Sequence, residues 1–223
     1  HISGTVGVNP EMYSVNSYAQ LRNELADGDL DIMSIDLIGP IWTSDRPDIP
    51  MNPLYIYEDQ YAGESVESKL SRVRAALDER RCDAAVIAEL DEIGWLLNVR
   101  GTDVDYTPCV ISYAVVERNA CTLFVDSRKL NSEASDALKQ KGITIRGYED
   151  VFAYLKNMNS TGILFDGNRV NEALYEAINP TVKRKVNATP SPIQVMMSVK
   201  NEVEIAGEKK AMLTDAVALT RFF

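Results

Sequence analysis

The loop Arg100–Pro108 holds the side chains in this sequence that are best suited to chemistry, and it directly follows an apolar turn. Its candidate groups are Arg100, Asp103, Asp105 and Tyr106. Proteins often place binding groups on charged, glycine-containing loops that an apolar anchor holds in position. An arginine there could bind a carboxylate through two parallel hydrogen bonds. The loop is therefore the first candidate for a binding site.

Two interpretations of Arg100, Asp103 and Tyr106 remain open. In the first, the three residues face another domain, where they line the entrance of a substrate cleft or fix domain orientation. In the second, the loop is closed on itself: Arg100 pairs with Asp103 or Asp105, and Tyr106 packs under Pro108. Ion pairs within loops are common and carry little function, which favours the second interpretation.

The turn before this loop contains further candidates. Trp95 is interpreted as a core anchor, because large aromatic side chains dominate core burial. Asp91 and Glu92 could pass for an acid/base couple. Adjacent positions on a helix point in different directions, so we predict instead that they are charges at the N-terminal end of a helix.

Metal chemistry finds little support in the residue types. The three cysteines, Cys82, Cys109 and Cys121, have no C-x-x-C spacing, and His1 is the only histidine. A structural zinc site needs about four ligands. We predict no metal ligands and no catalytic residues in this chain, and we interpret the cysteines as reduced core residues of a cytoplasmic protein. His1 is as readily a cloning or processing remnant as a native residue.

Net charge argues against two classes of partner. The formal charge is −10 and the pI is near 4.7, whereas contacts with nucleic acid or an anionic membrane need clustered Lys and Arg. The one basic cluster, Lys183–Lys185, is interpreted as a solvated strand edge. No apolar run approaches the roughly 18 residues of a membrane span.

The pattern along the chain predicts an α/β fold, a mixed β-sheet flanked by helices. Prolines between Pro40 and Pro53 indicate an interdomain linker, and a second cluster, comprising Pro180, Pro190 and Pro192, indicates another. Between them, strands and helices interleave, and the predicted strands Val110–Val116 and Cys121–Val125 are joined by one hairpin at 117–120. Ser14, Ser65 and Asn201 are predicted helix caps, and Gly142 a helix end.

Both ends of the chain suggest a longer protein. Before the first linker, a strand, a helix and a second strand cannot close a core of their own. At the other end, the helix predicted from Lys200 to Phe223 finishes on two aromatic residues without a polar tail. We therefore expect sequence to be missing on both sides.

Four segments carry a resemblance to a known family. They are Ile41–Pro47, Tyr61–Leu70, Leu90–Pro108 and Lys200–Phe223, and in this order they resemble the three-domain aminopeptidase P family (Xaa-Pro aminopeptidases, creatinase/prolidase superfamily). The block Leu90–Pro108 is similar to the family's Leu-Asp-Glu-Ile-Ala-Trp-Leu-Leu-Asn-Leu-Arg-Gly-Ser-Asp-Val-Pro-Tyr-Asn-Pro. This chain departs from the pattern at Asp105 (usually Pro), Thr107 (usually Asn), Met212 (often His) and an insertion at Ser44.

The resemblance implies a chain in three parts. Residues 1–52 would be the end of a first creatinase-like domain plus the linker. Residues 53–190 would be a second, middle domain of ribonuclease H-like topology, and residues 191–223 the start of a pita-bread metallopeptidase domain. The family removes an N-terminal residue that precedes proline, using two divalent cations, manganese or zinc. Their ligands are expected beyond Phe223.

The resemblance also implies partners: short peptides with proline at the second position, and a homodimer in the full-length protein. This chain would restrict access to the active site and be inactive alone. The alternative is a non-catalytic peptide- or protein-binding module, since creatinase-like domains also occur in a histone chaperone. A ribonuclease H-like nuclease would need clustered carboxylates and a basic groove, which the acidic balance disfavours.

Overall fold

A computed structural model describes residues 3–223, so the interpretation of His1 lies outside the described residues. The strands are β1 (Gly4–Val8), β2 (Leu30–Ser34), β3 (Tyr55–Ile56), β4 (Ala84–Ile87), β5 (Val99–Arg100), β6 (Tyr113–Glu117), β7 (Cys121–Phe124), β8 (Ile143–Arg146), β9 (Gly162–Phe165) and β10 (Arg184–Asn187). The helices are α1 (Val15–Ala26), α2 (Asp59–Ala62), α3 (Val66–Glu79), α4 (Leu90–Leu97), α5 (Ser132–Gln140), α6 (Asp150–Asn157), α7 (Glu172–Ala177), α8 (Pro192–Ser198) and α9 (Glu202–Phe222).

Six strands form the main sheet in the order β10-β9-β4-β6-β7-β8. The strands β4, β6 and β7 pair antiparallel, whereas β9 and β10 extend one side of the sheet in parallel and β8 extends the other. The turn after β6 closes the predicted hairpin. The predicted mixed sheet is therefore confirmed, and the basic residues Lys183–Lys185 lie at its β10 edge as expected.

The sheet has a hydrophobic core on each face, because successive residues of a strand point to opposite sides. In β6, Ala114 and Val116 join the core beneath α3, α4, α5 and α8. Val115, between them, joins the core beneath α6 and α7. Burial on both faces explains why these strands are almost entirely apolar.

Capping side chains determine where the helices begin. Ser14 accepts a hydrogen bond from the Ser17 amide, and Ser65 accepts one from the Ser68 amide. Asn201 forms a reciprocal capping box with Glu204 at the start of α9. These three predicted caps are confirmed, as is the end of α5 at Gly142, which has a φ of 74°.

The N-terminal elements form a second, smaller unit that is joined to the main sheet. Strands β1 and β2 pair in parallel, with α1 connecting them. The segment Tyr13–Asn16 then hydrogen-bonds through its backbone to Gly167, Val170 and Glu172, next to α7. The start of α1 is thus held against the larger sheet by main-chain contacts.

The structure differs from the predicted pattern in the strand before the hairpin and in the second proline cluster. The predicted strand Val110–Val116 begins only at Tyr113, because the amide of Ile111 donates to the Asp103 carboxylate instead of to a neighbouring strand. The second proline cluster is not an extended linker throughout. Pro192 occupies the first turn of α8, where proline is tolerated because its missing N–H would be unpaired anyway.

Replacing the buried Leu123 of β7 with Ala should lower the free energy of unfolding by about 2–5 kcal/mol, because a cavity forms in a packed core. Urea denaturation monitored by circular dichroism measures the change. The matched control is Leu213→Ala on α9, where the side chain is 68% exposed and a change below about 0.5 kcal/mol is expected. Equal effects at the two positions would contradict the described core.

Candidate functional site

The apolar half of the Leu90–Pro108 block forms α4 and is anchored in the core. Trp95 is buried, as predicted, and the ammonium group of Lys69 lies 4.4 Å from the centre of its ring. The helix ends at Asn98, whose φ of 50° places it in the left-handed region. The Asn98 side-chain amide donates to the Asp59 carboxylate and to the carbonyl of Glu64. The residues that follow this turn, Val99 and Arg100, form β5, which pairs antiparallel with β3.

Arg100 is fixed by neighbouring main chain and not by an acid. Its Nη1 donates to the carbonyl oxygens of Gly94 at 2.6 Å and Val99 at 2.9 Å, and its guanidinium lies 4.5 Å above the ring of Tyr57. The predicted alternative, in which Arg100 pairs with Asp103 or Asp105, is therefore wrong. Carbonyls hold one nitrogen of the fork, and the side chain remains partly exposed.

A groove of about 890 Å³ runs beside Arg100. Its walls are Tyr57 and Tyr61 on one side and the first half of α9 on the other. Lys200, Glu204 and Glu208 are among the lining residues from the α9 side, so the groove carries both signs of charge. Arg100 is thus the candidate residue that faces an open concave surface.

Asp103 turns in the opposite direction, into the protein. Its side chain is fully buried, and its Oδ2 lies 2.5 Å from Nζ of the equally buried Lys129. The same carboxylate accepts hydrogen bonds from the amides of Asn52 and Ile111. One acid therefore connects the end of the proline-rich segment, the candidate loop and the 3-10 helix that contains Lys129.

Tyr106 lies at the tip of the loop with its side chain completely exposed, so the predicted packing under Pro108 is wrong. Its φ of 62° is unusual for a residue with a bulky side chain. The surrounding turn is closed by a hydrogen bond from the Thr107 amide to the Val104 carbonyl. The structure thus places the three candidates in different environments: a groove wall, the interior and an exposed tip.

The sequence interpretation did not predict the burial of two ionisable side chains on α3 and α4, Lys69 and Glu92. Lys69 donates to the Trp95 carbonyl at 2.8 Å and to Asn98 Oδ1 at 2.7 Å, and burial lowers its pKa to about 8. Lys69 is three residues after Val66 and four before Val73, so the sequence alone places it on the apolar face of α3 and could have predicted its burial. Glu92 is also buried, although Asp91 beside it is exposed, so the two diverge as predicted.

Cys82, Cys109 and Cys121 are buried free thiols, as predicted, and burial raises the pKa of Cys121 to about 12. Within residues 3–223, no three His, Cys, Asp or Glu side chains are arranged to hold a metal ion. In the same range, no helix has the length and hydropathy needed to cross a membrane.

A profile described as the creatinase/prolidase N-terminal domain matches residues 45–204. The chain belongs to this family. The predicted fold class, a mixed sheet flanked by helices in a creatinase/prolidase N-terminal domain, is therefore confirmed. The family match covers the main sheet, the candidate loop and the first turn of α9.

Named relatives support the resemblance to aminopeptidase P. The chain is 34% identical to Xaa-Pro aminopeptidase 1 of Dictyostelium discoideum over 97% of its length, and 31% identical to aminopeptidase P2 of Arabidopsis thaliana over 99%. It spans only 36% and 35% of those two proteins, in their N-terminal part. The resemblance predicted from the four segments is confirmed.

A solved structure extends the agreement to three dimensions. The X-prolyl aminopeptidase of Caenorhabditis elegans, described as a cytosolic enzyme with a di-nuclear active site, superposes on the whole of this chain with a TM-score of 0.88 at 25% identity. The chain covers 37% of that protein. The likeness includes the N-terminal unit and α9, which the family profile does not fully cover.

Replacing Asp103 with Asn should destabilise the chain by about 3–5 kcal/mol, because Lys129 would be left buried without its counter-ion. Urea denaturation at neutral pH measures this loss. Asp105→Asn serves as the control: it removes an exposed carboxylate from the same loop and should cost less than about 0.5 kcal/mol. A small loss for Asp103→Asn would mean that the ion pair does not hold the loop.

Proposed function

We propose that this chain is the non-catalytic N-terminal and middle portion of a metal-dependent Xaa-Pro aminopeptidase, which removes the N-terminal residue that precedes proline. The observation that carries the proposal is the co-linear match of almost the whole chain to the Dictyostelium enzyme, together with the superposition on the Caenorhabditis structure. On this proposal the parts are residues 1–52, 53–190 and 191–223. The lack of regular secondary structure between β2 and β3 supports the first boundary.

The catalytic groups of the proposed parent protein would lie outside this chain. Two divalent cations, manganese or zinc, would be bound there, which is supported by the di-nuclear site described for the Caenorhabditis enzyme. Two cations can orient a substrate and activate a water for hydrolysis. The proposed substrates are short peptides with proline second. The proposed assembly is a homodimer and the proposed compartment the cytosol, in keeping with the three free thiols.

The contribution of this chain would be to shape the approach to the active site. Arg100 is held in one orientation by two carbonyls and the Tyr57 ring, and it faces the groove beside α9. A pre-oriented guanidinium can bind a carboxylate without losing much conformational entropy. We infer that Arg100 meets the carboxylate of a bound peptide, and that Asp103 fixes the loop that follows it. Tyr106, at the exposed tip, would contact a neighbouring domain.

The assignment of the chemistry to the rest of the parent protein can be tested directly. The chain alone should not cleave an Xaa-Pro dipeptide in the presence of manganese, whereas the full-length protein should release the first residue. An Xaa-Ala dipeptide and addition of a chelator are the controls, and neither reaction should proceed. Cleavage by the chain alone would contradict the placement of the catalytic groups outside it. An inactive full-length protein would contradict the proposed function.

In the full-length protein, Arg100→Ala should reduce kcat/KM for a free-acid Xaa-Pro tripeptide by roughly tenfold or more, because a charge-assisted hydrogen bond is worth about 1.5–3 kcal/mol. The C-terminally amidated tripeptide should be affected much less, since it lacks the carboxylate. The control is Arg118→Ala, which removes an exposed arginine paired with Asp78. An equal loss on both peptides would show that Arg100 sets domain orientation instead.

A further inference from the structure

The segment Ser191–Asn201, which we call the strap, connects the main sheet to α9 and is pinned at both ends. At its start, Ser191 Oγ donates to Glu92 Oε1 at 2.7 Å. At its end, the Asn201 side-chain amide donates to the Ala62 carbonyl at 2.8 Å. Between the pins, α8 packs Ile193 into the core beneath the sheet. The direction in which α9 leaves the domain therefore depends on these two pins.

The pin at Ser191 has a second task within the strap. Its Oγ accepts a hydrogen bond from the Gln194 amide and so caps α8, while its hydroxyl hydrogen goes to Glu92. Both Ser191 and Glu92 are buried. A cavity of about 20 Å³ adjoins them, which is enough for roughly one water molecule.

The surroundings of Glu92 are poor in positive charge. Glu89, Asp91 and Asp166 are the acids that face it from its own helix and from the end of β9. Arg169, which lines the same cavity as Glu92, forms its ion pair with Glu89 at 3.0 Å. Within residues 3–223, no ion pair involves Glu92 itself.

The other elements packed on α4 do not supply a cation for Glu92 either. The helix α8 contains no ionisable residue, and α3 contributes Val73 to the cavity wall. Lys69 and Arg100 donate to main-chain carbonyls of Trp95 and Gly94, farther along α4. Arg72 of α3 lies over the Trp95 ring, 5.8 Å from its centre. A charged Glu92 would therefore be desolvated and repelled by three acids.

We propose that Glu92 and Ser191 form a proton-controlled latch, which holds the strap closed on α4 while the Glu92 carboxyl is neutral and releases it when the carboxyl ionises. Release would loosen α8, while the Asn201 pin would still hold the start of α9. The latch consists of contacts within this chain, so it does not depend on the activity proposed above.

The latch would operate near neutral pH. Burial raises the pKa of Glu92 from its ordinary 4.5 to about 7 in the closed structure; the hydrogen bond from Ser191 favours the ionised form and offsets part of this rise, and the neighbouring acids add to it. The closed form thus keeps a proton that an open, solvated carboxyl would release. Its stability relative to the open form falls as pH rises from about 4.5 to about 7, and the loss is complete above that range.

Hydrogen exchange of this chain tests the latch. Protection of the amides 194–198 in α8, corrected for intrinsic exchange rates, should fall by roughly tenfold or more between pH 5.5 and pH 8.5, since one pH unit of pKa difference corresponds to a factor of ten. Glu92→Gln keeps an acceptor for Ser191 but cannot ionise, so its protection should not fall. Glu133→Gln, the same change on the exposed start of α5, should behave as the unmodified chain.

Two outcomes would overturn the latch. One is an unchanged fall in protection in Glu92→Gln. The other is an equal fall in the amides of β7, which would indicate global loosening. If Glu92→Gln does not fold, a carbon-13 NMR titration of the Glu92 carboxyl in the unmodified chain decides the matter. A midpoint near 7 supports the latch, and one near 4.5 refutes it.

Discussion

Lys69 reaches from α3 to the last turn of α4, where it hydrogen-bonds the Trp95 carbonyl and the Asn98 side chain. This contact determines where α4 stops, because it satisfies a terminal carbonyl and holds Asn98 in the left-handed turn. Everything that follows takes its direction from this turn: the short β5 strand, the orientation of Arg100 and the loop beyond. A buried ammonium group thus sets the geometry of a surface that could otherwise vary.

A second polar joint fixes the other side of the loop. The Asp103–Lys129 pair is costly to desolvate, and such a pair is retained where its remaining hydrogen bonds are satisfied. Here the carboxylate also accepts hydrogen bonds from the backbone amides of Asn52 and Ile111. These bonds satisfy its remaining lone pairs and join three segments of the chain. Between the two joints, Arg100 is held still, while Tyr106 extends freely into solvent. The loop thus combines a rigid base at Arg100 with one exposed side chain, Tyr106.

Much of the fold follows from local sequence features. Ser14, Ser65 and Asn201 cap helices because their side chains satisfy amides within their own first turn, and β6 and β7 are apolar because both faces are covered. The partners of Arg100 and Asp103 could not be predicted in this way. Lys129 and Gly94 are brought to them only by tertiary packing, and nothing in local spacing identifies a carbonyl or a distant lysine as the preferred partner. Glu92 lies near the start of a helix, as predicted. Its burial depends on the segment that begins α8, and the prolines there predicted a linker instead of a helix.

The order of the strands has a consequence for how the sheet assembles. Strand β4 pairs on one side with β6, its near neighbour along the chain, and on the other side with β9, which lies two strands and two helices beyond β6 along the chain. The half containing β4, β6, β7 and β8 can form by short-range closure, whereas β9 and β10 must dock after a much longer loop has been brought together. The carboxyl ends of β4 and β9, which carry Glu89 and Asp166, would thus meet late in folding. The acid-rich region around Glu92 would then be completed only after most of the apolar core has already formed.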